Sequence, residues 1–195
     1  IWPTTAQIKR SMPQCFKTTY PKTRIILDCT EIKVQGLAQG LELRNFLYTY
    51  KSYTTFKYLA GIAPHGTVTF VSSSYQGSIL DKEMTRHSGF LLLVTDGDKV
   101  MADKGFLIQD LLETKKANLT IPPFLLEQSP YSSALETEVT DTQQISHLHI
   151  HAEREIGQIK EYQIFEQVLP LSLAGSVNQI WTICCLLTNF RGPLY

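Results

Sequence analysis

Arg24-Ile25-Ile26-Leu27-Asp28-Cys29-Thr30-Glu31-Ile32 is the stretch around which the chain is organised. Three consecutive large apolar residues, two of them β-branched, suit a strand covered on both faces. Asp28 sits inside that run, where a lone carboxylate is costly to desolvate. A bound cation, a hydrogen-bond network or a nearby sheet edge would each remove the cost. Structural acids at strand ends are common, so this stretch alone does not single out a site. Two further acids in equally particular settings, Asp103 and Glu153, change the balance.

Upstream, Pro3, Pro13 and Pro21 surround Ala6-Gln7-Ile8-Lys9-Arg10-Ser11-Met12. Residues 1–22 therefore read as a lead-in, a short helix followed by irregular chain, and 23–195 as the single domain. The first strand runs on through Ile32 and Val34. Residues 35–50, with Gly36 and Gly40 and no clean apolar period, read as a surface insertion. Thr54–Ala63 and Thr67–Ser72, separated by Pro64-His65-Gly66, form an antiparallel hairpin. Ser78 is placed to cap a helix through Ile79, Met84 and His87, closed by Ser88-Gly89. Asp96-Gly97-Asp98 turns into a short fourth strand, Lys99–Ala102, which Asp103 follows directly.

Phe106 to Leu112 reads as a short helix, and Asn118–Ile121 as a strand stopped by Pro122-Pro123. From Ser132 to about Tyr162 there is no Pro, and Ile145, Leu148 or His149, Ala152, Ile156 and Ile159 recur at helical spacing. Glu153 lies beside that stripe on the resulting long helix. Leu171 to Leu187 reads as a second, mostly apolar helix. The order is antiparallel strands, helix, strand, helix, strand and long helices. It gives an α/β class with a mixed sheet flanked by helices, the ribonuclease H-like pattern.

Composition is compatible with this. The 195 residues fit one domain with a sizeable core, and 43% hydrophobic against 18% charged residues is ordinary globular material. The uninterrupted apolar run Ile183–Leu187 is far too short to cross a bilayer. The start has neither Met nor a signal-peptide pattern, so the chain reads as part of a longer product with nothing directing secretion. Lys and Arg number 18, as do Asp and Glu. That balance argues mildly against a dedicated nucleic-acid-binding domain, but not against a nuclease whose acids are neutralised by metal. Cys15, Cys29, Cys184 and Cys185 form no C-x-x-C pair and read as reduced thiols of an intracellular protein, the adjacent pair as core. Asn118-Leu119-Thr120 reads as a chance glycosylation sequon.

The three acids supply the chemistry. If the strands carrying Asp28 and Asp103 are neighbours, both aspartates emerge at adjacent positions, and a helix packed across the sheet brings Glu153 to them. Three carboxylates so placed raise one another's pKa unless a counter-charge is present. Hard divalent cations resolve this, since Mg²⁺ prefers carboxylate, water and phosphate oxygens. Two such ions roughly 3.5–4 Å apart can activate a nucleophilic oxygen and stabilise the leaving oxygen of a phosphodiester. Asp81 could join this site, whereas Glu83 suits the first turn of its helix. His147, His149 and His151 alternate, and the first and last fall one turn apart. They lack further zinc ligands and read instead as a helix face near DNA or water. Gly77 and Gly105 serve backbone turns.

Ile26–Ile32, Tyr50-Lys51-Ser52-Tyr53-Thr54-Thr55-Phe56-Lys57, Val100-Met101-Ala102-Asp103-Lys104-Gly105-Phe106 and His151-Ala152-Glu153-Arg154-Glu155-Ile156-Gly157-Gln158-Ile159-Lys160 resemble, in order, the blocks of a DDE-superfamily transposase nuclease. The resemblance is to the PIF/Harbinger-like group and runs from about Trp2 to the C-terminus. It implies a ribonuclease H-like fold and metal-dependent DNA cleavage and strand transfer in the nucleus. The catalytic and metal-binding residues would be Asp28, Asp103 and Glu153, and the cofactor a divalent cation, Mg²⁺ or Mn²⁺. DNA is the implied partner, with Lys51, Lys57, Lys104, Arg154 and Lys160 as candidate phosphate contacts. A separate or N-terminal DNA-binding module and an oligomer are compatible with it, and a membrane is not implied. The family usually has a small or apolar residue where Glu155 stands and a basic one where Gln158 stands. Those departures and the zero net charge support an alternative, a host-adopted DNA- or protein-binding domain that keeps the fold without catalysis. A hydrolase of small phosphate esters is a weaker third reading, since no phosphate-cradling Gly-rich loop is present.

Overall fold

The computed structural model describes residues 2–35, 53–122 and 134–191. The predicted surface insertion lies almost wholly outside them. Two short helices, α1 (Thr5–Ser11) and α2 (Gln14–Thr19), precede the long strand β1 (Thr23–Gln35). Then come β2 (Tyr53–Ile62), β3 (Val68–Val71), β4 (Tyr75–Gln76), α3 (Asp81–His87), β5 (Lys99–Ala102), α4 (Gln109–Glu113) and β6 (Asn118–Thr120). The long helix α5 (Ala134–Lys160) and the C-terminal α6 (Val177–Thr188) complete the order.

The sheet runs β3-β2-β1-β5-β6, with β4 also pairing to β2. β1 is antiparallel to β2 and parallel to β5, and β5 is parallel to β6. This is the expected mixed sheet flanked by helices, compatible with a ribonuclease H-like fold. Alternation along β1 divides its side chains between two cores. Ile26, Ile32 and Val34 pack with Phe16 of α2, with Ile145, Leu148, Ala152, Ile156 and Ile159 of α5, and with Trp181 of α6. Ile25 and Leu27 pack on the other face with Met84, Phe90, Phe106 and Leu112. The strand is covered on both faces, as its apolar run requires.

Several local readings are corrected. Residues 14–19 form α2 rather than irregular chain, because Phe16, fully buried, anchors that turn in the core. Ser78 caps nothing: α3 starts at Asp81, and the Leu80 position that precedes it makes no side-chain cap bond. The intervening residues are used by the β4–α3 turn, where Gly77 N–H donates to the Thr55 carbonyl at 3.0 Å. A Cβ at Gly77 would stand 1.8 Å from Thr55 Oγ1, so only glycine fits. The brief β4 also makes the Asp103-bearing strand the fifth, not the fourth. Residues Leu171–Ser176 are 3₁₀ turns ahead of α6, in keeping with the modest helix propensity of Ser-Leu-Ala-Gly-Ser.

By length and composition 171–188 reaches what a bilayer span needs. One face of it packs on the sheet, with Trp181 fully buried and stacked 5.2 Å from Tyr58 of β2, while Ile183, Leu186 and Leu187 on the other face are exposed.

The β2–β3 turn carries a device of its own. Gly66 has φ +97°, and a Cβ there would lie 2.7 Å from Glu155 Oε1 on α5. Gly66→Ala is expected to destabilise the fold by about 2 kcal/mol through backbone strain and crowding. Urea denaturation would read this as a lower midpoint at unchanged m-value.

Candidate active site

The parallel pairing of β1 with β5 sets Leu27 opposite Ala102. Asp28 is the next residue of β1 and Asp103 the first residue past β5, so the topology delivers both acids to one place at the end of β5. Each carboxylate is fixed locally. Asp28 Oδ1 accepts the Cys29 N–H at 2.7 Å, and Asp103 Oδ1 accepts the Lys104 N–H at 2.7 Å. Each Oδ2 is left as the oxygen with no such local tether. Both residues line a cavity of about 360 Å³, with Glu31, Lys57, Asp81 and Lys160.

Glu153 arrives through α5. Buried His149, one turn before it, donates its Nε2–H to the Leu27 carbonyl at 3.3 Å. Its Nδ1 lies 3.6 Å from Glu153 Oε1. His149 thus docks the long helix on the peptide that precedes Asp28. Glu153 itself is largely exposed and does not line the cavity, yet its charge is felt there. The Asp28 pKa is raised to about 6, first by burial, with Glu153 and Asp103 adding to the rise and His149 and the Cys29 N–H opposing it.

The donor set suits a hard divalent cation. Four carboxylates line the cavity against two ammonium groups, and Asp28 is pushed toward protonation where a cation would hold it ionised. Among the described residues, no three His, Cys, Asp or Glu side chains already stand as a closed ligand set. Glu153 would have to swing inward to join the aspartates, and its exposure leaves it room to do so.

The basic candidates divide. Lys57 and Lys160 line the cavity, Lys104 and Arg154 are exposed, and Lys51 lies outside the described residues. The Lys160 ammonium is drawn below the ordinary lysine range by desolvation, with Asp28 and Glu31 pulling the other way. Asp81, left open by the sequence, belongs to the cavity: its Oδ1 is 2.6 Å from Lys57 Nζ. Glu83 instead pairs with Arg86 at 2.7 Å on its own helix. Cys29 is not a nucleophile here, because burial and then the nearby Asp81 push its thiol far up.

Two expectations for α5 are overturned. His149 and His151 do not form a face toward DNA or water; both are buried, the first on β1 and the second beside Phe16 and Cys15. The His147 side chain lies outside the described set. Nor does Glu155 stand on a DNA path. It is 4% exposed, tucked under the Gly66 turn, and burial raises its pKa to about 7. The role of His149 was present in the sequence as its i, i+4 relation to Glu153, but spacing could not say that its other nitrogen reaches β1.

The family comparison agrees with this architecture. The model of the family described as DDE superfamily endonuclease matches residues 27–189. Neither the curated proteins nor the solved structures compared gave a match. The matched span runs from Leu27 in β1 through the cavity aspartates Asp28, Asp81 and Asp103 and through α5 and α6, leaving out α1, α2 and the start of β1, and the chain belongs to the DDE superfamily endonuclease family.

Proposed function

We propose that this domain is the metal-dependent nuclease and strand-transfer domain of a PIF/Harbinger-like transposase, acting on DNA in the nucleus. Asp28, Asp103 and Glu153 form its catalytic, metal-holding triad. The observation that carries this reading is that Asp28 and Asp103 directly follow the paired residues Leu27 and Ala102 and line one cavity, with Glu153 adding to the rise of the Asp28 pKa.

When bound, a pair of Mg²⁺ or Mn²⁺ ions would supply activation of the attacking oxygen and charge stabilisation on the leaving oxygen of a phosphodiester. The chain's own part is positioning. Asp28 and Asp103 offer oxygens on a stiff sheet, each held by the following backbone N–H. Glu153 closes the set from α5, one helical turn after His149. Lys57, Lys104, Arg154 and Lys160, with Lys51 by its place in the matching block, contact DNA phosphates and hold the strand in register with the acids.

Nicking of supercoiled plasmid tests the reading. The expected result is nicking with Mg²⁺ or Mn²⁺, none with a chelator, and joining of a supplied 3′-hydroxyl end to target DNA. A second reading, a binding domain that keeps the fold without catalysis, draws on the outward position of Glu153 and the zero net charge. It loses the support of Glu155, whose buried carboxyl faces no surface. DNA retention without metal-dependent nicking would favour that second reading.

A further inference from the structure

Lys57 is held in place at the edge of the carboxylate cavity. Its side chain is 15% exposed, and its ammonium meets Asp81 Oδ1 at 2.6 Å and donates to the Ile79 carbonyl at 3.2 Å. An ammonium has three N–H donors. One is given to the Ile79 carbonyl while the ammonium is ion-paired with Asp81, and the group borders the same cavity as Asp28 and Asp103. Asp81 opens α3, and Gly105, two residues past Asp103, lies beside it: a Cβ there would make ordinary contact with Asp81 Oδ2 at 3.8 Å. The β4–α3 turn, the strand β2 and the loop after Asp103 therefore meet at this ion pair.

We propose that Asp81 is a positioning residue that holds Lys57 as a preorganised donor to a DNA phosphate oxygen lying beside the carboxylate cavity. The inference rests on the nuclease reading above and adds a role to a residue outside the triad. A tethered ammonium loses less side-chain entropy on meeting a phosphate than an untethered one does. Removing Asp81 would thus cost affinity even though it takes away a negative charge. Simple electrostatics predicts the opposite sign.

The test is binding of a fluorescein-labelled DNA duplex by anisotropy in chelator across a salt series. Lys57→Met is expected to weaken binding roughly tenfold and to lower the salt slope by about one. Asp81→Asn should lose most of the same affinity, and the double variant should lose little more than Lys57→Met alone. Circular dichroism checks folding, because Asp81→Asn leaves a mostly buried ammonium without its carboxylate. Asp81→Glu, which keeps the charge but shifts it by a methylene, should weaken binding a few fold at unchanged slope. Asp81→Asn that binds as tightly as wild type or more tightly overturns the proposal. Should that variant not fold, unchanged affinity in Asp81→Glu does the same. A wild type that binds no DNA overturns both this inference and the nuclease reading. A wild type that binds and nicks DNA, with Asp81 variants unaffected, overturns this inference alone.

Discussion

Asp28→Asn is expected to lower metal-dependent nicking on the order of a thousandfold while making the metal-free protein more stable. The loss follows from removing one of the charged oxygens that hold the ions, whose stabilisation of transition-state charge is worth several kcal/mol. The gain follows from linkage. The folded-state pKa of Asp28 is raised from the ordinary 3.8 to about 6. Its favourable contribution is therefore complete below the unfolded value and is lost as pH rises through the folded one. At pH 7.5 the ionised group opposes folding, by about 1–3 kcal/mol once its partial exposure is allowed for. Asparagine carries no charge and keeps an oxygen for the Cys29 N–H. Denaturation in chelator should thus show a more stable variant, and added Mg²⁺ should stabilise only the wild type. A variant that nicks normally would contradict the assignment of Asp28.

The second large effect lies at Glu155, outside the triad. Burial raises its pKa from 4.5 to about 7. Being an acid with a raised folded pKa, it supports folding fully below about 4.5 and loses that support as pH rises through 7. Glu155→Gln should therefore match the wild type near pH 4.5 and exceed it by up to about 3 kcal/mol at pH 8. Urea denaturation at the two pH values measures the difference. A gain that is the same at both would show that the carboxyl finds a counter-charge and is not opposed by burial. The same argument explains why a negative residue at this position need not weaken DNA contact: it lies under the Gly66 turn, away from the cavity.

The periodic parts of the fold were readable before the structure. A continuous apolar run rich in isoleucine marked β1, the Pro-Gly turn marked the β2–β3 hairpin, and the apolar stripe on α5 is buried at Ile145, Leu148, Ala152, Ile156 and Ile159. Elements lacking a local signal were not readable. β4 has two residues and exists only because β2 offers a partner, and α2 is set by the burial of one phenylalanine. The three acids could be named from their local settings, and adjacency of Asp28 and Asp103 followed once the strand order was assumed. That Lys57 grips Asp81 could not be read. It depends on β2 and α3 meeting across a turn, and no spacing within either element encodes that contact. His149 was left between the apolar stripe and a face toward DNA or water for the same reason, since its burial is decided only by the sheet beneath it.

The central claim is that Asp28, Asp103 and Glu153 converge on divalent cations, and isothermal titration calorimetry tests it most directly. Mg²⁺ and Mn²⁺ would be titrated into the wild type and into Asp28→Asn, Asp103→Asn and Glu153→Gln, each checked for folding. The account predicts binding by the wild type and marked weakening in all three variants, including Glu153→Gln, whose side chain must swing inward to take part. A wild type that binds neither ion, or three variants that bind as it does, would contradict it.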